Sequence, residues 1–335
     1  MTAKSGAYQL VYFPYLHLSA GDTLSFGTLT VWDQTQLSDR VSDEPVRERV
    51  ATILASHRAP SGRPDKSRAL RGIGIVSTGA DDFGELVPAR LDDLQELRAA
   101  LFLACLSSDA TKHGPNAGNS IRTAENFSFV TQGFVLGSPY MSETSGVLVT
   151  KTSLGYKLGE VQFPAPSHVP SPISFECDEL LLGALEALRR TRPKLFRRLL
   201  DATSLFIESY HNTPAVDIRA RVLLQVAAFE VLLELPERQQ RKVFKDRIEE
   251  HCNTPGERRF AYKFEVPNGK RADSRTVKGI WADRFYTLRN HIIHGRRVAG
   301  SEYAFRGEQH HVTIGPIFFV HVVRRLVELA TAEMG

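Results

Sequence analysis

Arg289-Asn290-His291-Ile292-Ile293-His294-Gly295 closes a long helical periodicity, and its reading sets the architecture of the C-terminal half. Trp281, Phe285, Leu288 and Ile292 are spaced four, three and four, which makes one apolar helical face. Asp283, Thr287, Asn290 and His294 follow the same spacing on another, wholly polar face, so His294 is not expected in a core. Gly295 is the expected stop, because glycine tolerates the left-handed conformation just past a helix end. Basic residues near a helix C-terminus also complement its dipole without any further role.

Working outward, Lys242 to His251 reads as a basic helix and Phe318 to Met334 as a closing one. Cys177 to Arg190, Leu195 to Tyr210 and Val216 to Leu235 complete a run of helices, the last bounded by Pro214 and Pro236. Residues 253–277 read as a long polar loop in which Tyr262, Phe264 and Arg271 either contact RNA or pack on the domain. Arg296 to His311 reads as irregular or hairpin-like. Arg197, Arg198, Arg238, Arg241, Lys242, Lys245 and Arg247 form either a phosphate-contacting surface or solvated helix faces.

The motif Arg289-x4-His294, with Leu288 before it and Gly295 after, resembles the signature of HEPN domains, and of the Apea-like subgroup in particular. Upstream, Ala227-Ala228-Phe229-Glu230-Val231-Leu232-Leu233 resembles the alanine–aromatic–Glu–leucine helix of that subgroup, and the resemblance covers roughly 194–335. It implies a HEPN-like all-α bundle that pairs with a copy of itself. Many such domains are metal-independent ribonucleases of toxin or antiviral systems, and others only bind nucleotide, RNA or a protein partner. In family toxins restrained by a nucleotidyltransferase a Tyr commonly follows the motif His by four residues. Val298 stands there, against such a pairing.

The residue types suit RNA cleavage. Histidine serves as acid or base because its pKa lies near 6.5, and the planar arginine fork offers a phosphate two parallel donors. The expected catalytic set is Arg289, Asn290 and His294, with Glu230 and His291 in support. Glu230 interrupts an apolar helix and is either exposed or the holder of Arg289; His291 is either an accessory group or merely exposed. One chain offers one motif His where acid and base together require two, so a twofold homodimer is the expected active form.

The 335 residues suit two domains, and 42% hydrophobic with 24% charged residues is ordinary for a globular protein. Cys105, Cys177 and Cys252 form neither a disulfide framework nor a zinc motif, and no segment is apolar enough to span a bilayer. A cytoplasmic protein without membrane contact, cofactor or metal is expected. Residues 1–170 carry 15 Lys/Arg against 17 Asp/Glu, and 171–335 carry 27 against 21, so the basic excess sits with the motif.

The first half alternates strand-like stretches (7–32, 71–77, 127–136, 146–152, 157–163) with helices at 44–58 and 91–106 and loops at 59–68 and 107–120. Gly72-x-Gly74 lacks the lysine and spacing of a phosphate loop, and His57 and His113 sit in polar surroundings that suggest solvated rings. Pro164, Pro166, Pro170 and Pro172 mark the linker. The expected class is therefore α+β, an N-terminal mixed domain over 1–165 followed by the helical domain over 175–335. The first domain would recognise a substrate, a trigger or a regulatory partner. The alternative functions are a non-catalytic HEPN module and, argued from basic helices alone, a DNA-binding regulator.

Overall fold

Strand β1 (Ala7–His17) is buried without interruption from Leu10 to Leu16. Such a run fits a strand covered on both faces of the pleat. It forms the middle of a sheet with β2 (Thr23–Phe26), β3 (Leu29–Asp33), β5 (Ile73–Ser77), β6 (Val130–Val135), β7 (Tyr140–Gly146) and β8 (Tyr156–Lys157) in the order β2-β3-β5-β1-β6-β7-β8, all antiparallel. A short β10 (Ile173–Ser174) pairs parallel to β1, while β4 (His57–Arg58) pairs parallel with β9 (Phe163–Pro164). The β2–β3 turn is Gly27-Thr28, with φ +63° at Gly27, which matches the twist of a tight hairpin. In the computed structural model the described residues are 7–58, 69–78, 83, 88–113, 124–136, 140–146, 156–157, 163–164, 173–174, 176–211, 216–252, 256–266, 269–307 and 309–333. Parts of the expected strands over 146–152 and 157–163, the 59–68 loop and most of the proline-rich linker lie outside them.

Helices α1 (Leu37–Arg40) and α2 (Glu44–Ala55) follow β3. Asp43 caps α2 through its carboxylate on the Val46 N–H at 3.2 Å, and Val46, Val50, Ile53 and Leu54 join Leu10, Tyr12, Trp32 and Ile75 in one core. Helix α3 (Pro88–His113) runs seven residues beyond the stretch that reads as helix. Ser107 and Thr111 look like loop residues by composition, but the helix satisfies both: Ser107 donates to Asp178 at 2.6 Å and Thr111 to the Ser107 carbonyl at 2.9 Å. His57 is a second correction. It is buried, with Nε2 2.5 Å from the Tyr12 hydroxyl, and burial lowers its pKa to about 4.

The chain divides into two compact units, Met1–Cys105 with Ser120–Cys177 and Leu106–Asn119 with Asp178–Gly335. The second holds α4 (Glu179–Thr191), α5 (Pro193–Glu208), α6 (Ile218–Leu232), α7 (Gln240–Cys252), α8 (Val277–Ile293) and α9 (His311–Ala332). Between α7 and α8, where the sequence reads as polar loop, β11 (Phe260–Val266) and β12 (Gly269–Arg275) form a hairpin. A smaller hairpin of β13 (Ala304–Arg306) and β14 (Gln309–His310) precedes α9. The whole is α+β, with the sheet in the first half and helices dominating the second.

The helices meet at aromatic rings. Phe206 stacks on Phe319 with centroids 4.1 Å apart, and Phe229 sets its ring at a steep angle to those of Phe206, Phe244, Trp281 and Phe319. Helix α9 starts well before the expected Phe318 and carries Pro316 inside it. Proline lacks the N–H that the Val312 carbonyl would otherwise accept. The buried Gln225 of α6 replaces it, donating from Nε2 to that carbonyl at 3.2 Å. A Cβ on the neighbouring Gly315 would stand 2.4 Å from Gln225 Oε1, so glycine is what lets the amide in.

Candidate functional site

Helix α8 places the motif. Thr276 caps its start, accepting from the Gly279 N–H at 3.2 Å. Its end is a Schellman turn: Gly295 at φ +66° donates to the Ile292 carbonyl at 3.1 Å, and Arg296 donates to that of His291 at 2.9 Å. Trp281, Phe285 and Leu288 are buried as the apolar spacing predicts, and Ile292 is half-buried. The polar face differs from expectation at Asp283, which is 1% exposed. Its carboxylate accepts two bonds from Arg241 of α7, at 2.9 and 2.7 Å, and one from the Tyr262 hydroxyl at 3.2 Å, with Lys245 Nζ 3.9 Å away. Arg241 and Lys245 are therefore not solvated phosphate contacts; Arg198 pairs with Glu234 and Arg247 with Glu250.

Arg289 is fixed on several sides. Nη2 lies 3.2 Å from Glu230 Oε1, Nη1 donates to Asn290 Oδ1 at 3.1 Å, and the guanidinium carbon sits 5.3 Å from the centroid of the Tyr286 ring. Glu230, on α6, is thus the holder of Arg289 rather than a free surface carboxylate. Tyr286 reinforces it, its hydroxyl lying 2.6 Å from Glu230 Oε1 and 2.8 Å from Gln240 Oε1. One phenolic proton cannot serve two oxygens. The carboxylate is the stronger acceptor, and the Gln240 amide is satisfied with its Nε2 turned toward the tyrosine. Burial, then the bond to Glu230, push the Tyr286 hydroxyl well above the ordinary phenol range, so it remains a donor. The arginine side chain is still 23% exposed, and a guanidinium has five N–H donors.

His294 caps α8 through its backbone N–H on the Asn290 carbonyl at 3.0 Å. Its ring is exposed and makes no hydrogen bond among the described residues. The His291 ring sits 3.1 Å from Glu302, whose carboxyl is held below the usual range by the Ala299 N–H, with a smaller effect of His291. Asn290 gives its oxygen to Arg289 rather than to an imidazole. The five expected residues thus fall into three groups: Arg289, Glu230 and Asn290 bonded together, His294 open, and His291 tied to the segment before β13.

Sequence reasoning missed Tyr286, Gln240 and the Asp283 cluster. For Tyr286 a signal exists, since it stands three residues before Arg289 and neighbours it on the helix surface. Gln240 and Arg241 lie far off in sequence and have none. Among the described residues no three His, Cys, Asp or Glu side chains gather as metal ligands, and no helix is long and apolar enough to cross a membrane. No family model, curated protein or solved structure matches the chain.

Proposed function

We propose that the second unit is a HEPN-type, metal-independent ribonuclease acting as a homodimer, with Arg289 binding the scissile phosphate and His294 moving protons. The observation that carries this reading is a guanidinium fixed by Glu230, Asn290 and Tyr286 on the helix whose end bears the imidazole of His294, exposed and unbonded among the described residues. A preorganised cation stabilises charge on a crowded phosphate without reorganising, and an uncommitted imidazole is what general acid–base work needs. In the reaction the 2′-oxygen attacks phosphorus while its proton passes to one imidazole. The bond to the 5′-oxygen breaks, that oxygen takes a proton from His294 of the partner subunit, and a cyclic phosphate remains. The first unit then recognises substrate, a trigger or a regulatory partner, in keeping with a role in toxin or antiviral defence.

The test is incubation of the full chain with mixed single-stranded RNA in EDTA. The expected result is cleavage that His294→Ala and Arg289→Ala each reduce by about 10²-fold or more. No cleavage by the wild-type protein, or undiminished cleavage by both variants, would overturn the reading. One observation favours a second reading, a non-catalytic module binding RNA or a protein partner: the Glu230–Arg289 pair is also what a purely structural arginine makes. That reading expects Arg289→Ala to lower the melting temperature while the wild type leaves RNA intact.

A further inference from the structure

Many arginines of the second unit are matched to carboxylates: Arg192 to Glu333, Arg198 to Glu234, Arg275 to Asp246 and Glu249, Arg324 to Asp178. Two exposed arginines are matched to rings instead. Arg258 places its guanidinium carbon 5.1 Å from the centroid of Phe260, and that of Arg284 lies 5.8 Å from the centroids of both Tyr262 and Phe305, with a side-chain hydrogen bond to Tyr262. Neither has a carboxylate partner among the described residues. Phe260 and Tyr262 are half-buried and two residues apart on β11, hence on one face of the hairpin.

The rings themselves are not free for a ligand. Tyr262 bonds Asp283 through its hydroxyl and carries Arg284 over its face, so direct stacking of a base on Tyr262 is closed off. The arginines take over that role. An exposed guanidinium held beside an aromatic ring keeps its charge and offers a delocalised plane as well as N–H edges. Unpaired nucleobases stack on such planes, while the N–H edges reach phosphate oxygens. The two stations are about 6.6 Å apart along the strand, within reach of neighbouring unstacked nucleotides. Arg284 lies on α8, whose C-cap His294 is ten residues or about 15 Å further along the axis.

We infer that Arg258 on Phe260 and the exposed Arg284 beside Tyr262 and Phe305 form a stacking platform for unpaired bases of single-stranded RNA, leading the strand toward the end of α8. The inference rests on the reading of RNA as the substrate but not on cleavage.

The experiment uses the full chain carrying His294→Ala and a fluorescein-labelled single-stranded RNA octamer in EDTA, read by anisotropy at two salt concentrations. Arg258→Ala and Arg284→Ala are each expected to weaken binding about tenfold. Arg284→Lys should stay weak, because an ammonium keeps the charge but loses the plane. Both side chains are exposed, and Arg284→Ala gives up only an exposed bond to Tyr262, so melting temperatures should stay close to the parent's. Tripolyphosphate and duplex RNA of equal length report charge alone, and their binding should change far less. Full recovery in Arg284→Lys, wild-type binding by both alanine variants, or preference for the duplex would overturn the platform. If the wild type leaves RNA intact while octamer binding depends on both arginines, the ribonuclease reading falls and the platform stands. If RNA is cleaved and both alanine variants keep the wild-type KM, the platform falls and the ribonuclease reading stands.

Discussion

Replacing Asp283 by Asn tests whether the second unit is organised around a buried charge. The carboxylate is 1% exposed and faces two cations, Arg241 through two bonds and Lys245 at 3.9 Å. Asparagine keeps the volume and one acceptor. It removes the charge and turns an NH2 group toward an Arg241 N–H in either orientation, because both carboxylate oxygens accept from Arg241. Lys245, whose side chain is 5% exposed, then keeps its ammonium beside Arg275, although burial, and next Arg275, already lower its pKa. Breaking a buried pair by removing one partner costs about 3–5 kcal/mol. Arg241 is 29% exposed and can rehydrate, so the lower end, about 3 kcal/mol, is expected. The assay is urea unfolding followed by tryptophan fluorescence. The chain has two tryptophans, Trp32 in the sheet and Trp281 in the helical unit, so a Trp32→Phe background isolates the relevant transition. Adding Lys245→Met should recover at least about 1 kcal/mol, because the buried ammonium that has lost the Asp283 charge is then removed as well. A loss under about 0.5 kcal/mol for Asp283→Asn, within the range of an ordinary surface change, or a double variant no better than the single one, would refute the reasoning.

Gly279→Ala should destabilise by about 2 kcal/mol, because its Cβ would stand 2.4 Å from Glu249 Oε1, an oxygen already bonded to the Thr276 N–H and hydroxyl at 2.7 and 2.9 Å; a melting curve superimposable on wild type would show that Glu249 yields freely. His311 is buried against Phe285, and burial lowers its pKa to about 3, with Arg284 and His310 adding to the effect. The unfolded chain therefore binds one more proton between about pH 6.5 and 3, and stability falls as pH drops through that window by up to about 1.4 kcal/mol per unit. His311→Phe should flatten that acid limb by one proton, measured as unfolding free energy against pH; an unchanged slope would place the proton elsewhere.

The helices of the second unit are legible because their signals are local: Trp281, Phe285 and Leu288 recur at helical spacing, and Gly295 has the backbone freedom its turn demands. The β11–β12 hairpin hides because only one strand shows a pattern. Phe260, Tyr262 and Phe264 alternate, while the partner Gly269–Arg275 has Ala272 as its one apolar side chain and draws its definition from Arg275 bonded to Asp246 and Glu249. His57 reads as solvated because its neighbours in sequence are polar, yet its environment is made by Tyr12, 45 residues away. In the candidate site the pairing of Arg289 with Glu230 is foreseeable in kind, as a carboxylate interrupting an apolar helix needs a cation. The support from Gln240 is not, since nothing in sequence marks which distant amide reaches Tyr286.

Helix α3 has a practical consequence for anyone dissecting the chain. Its first part, to Cys105, belongs to the unit of the sheet and its last turns, from Leu106, to the unit of the helical bundle. No single cut can then yield both halves intact. A fragment beginning at the proline-rich segment would be born without the Ser107 hydroxyl that meets Asp178 at the head of α4. Excision or transplantation of the bundle must carry residues 106–113 along with it.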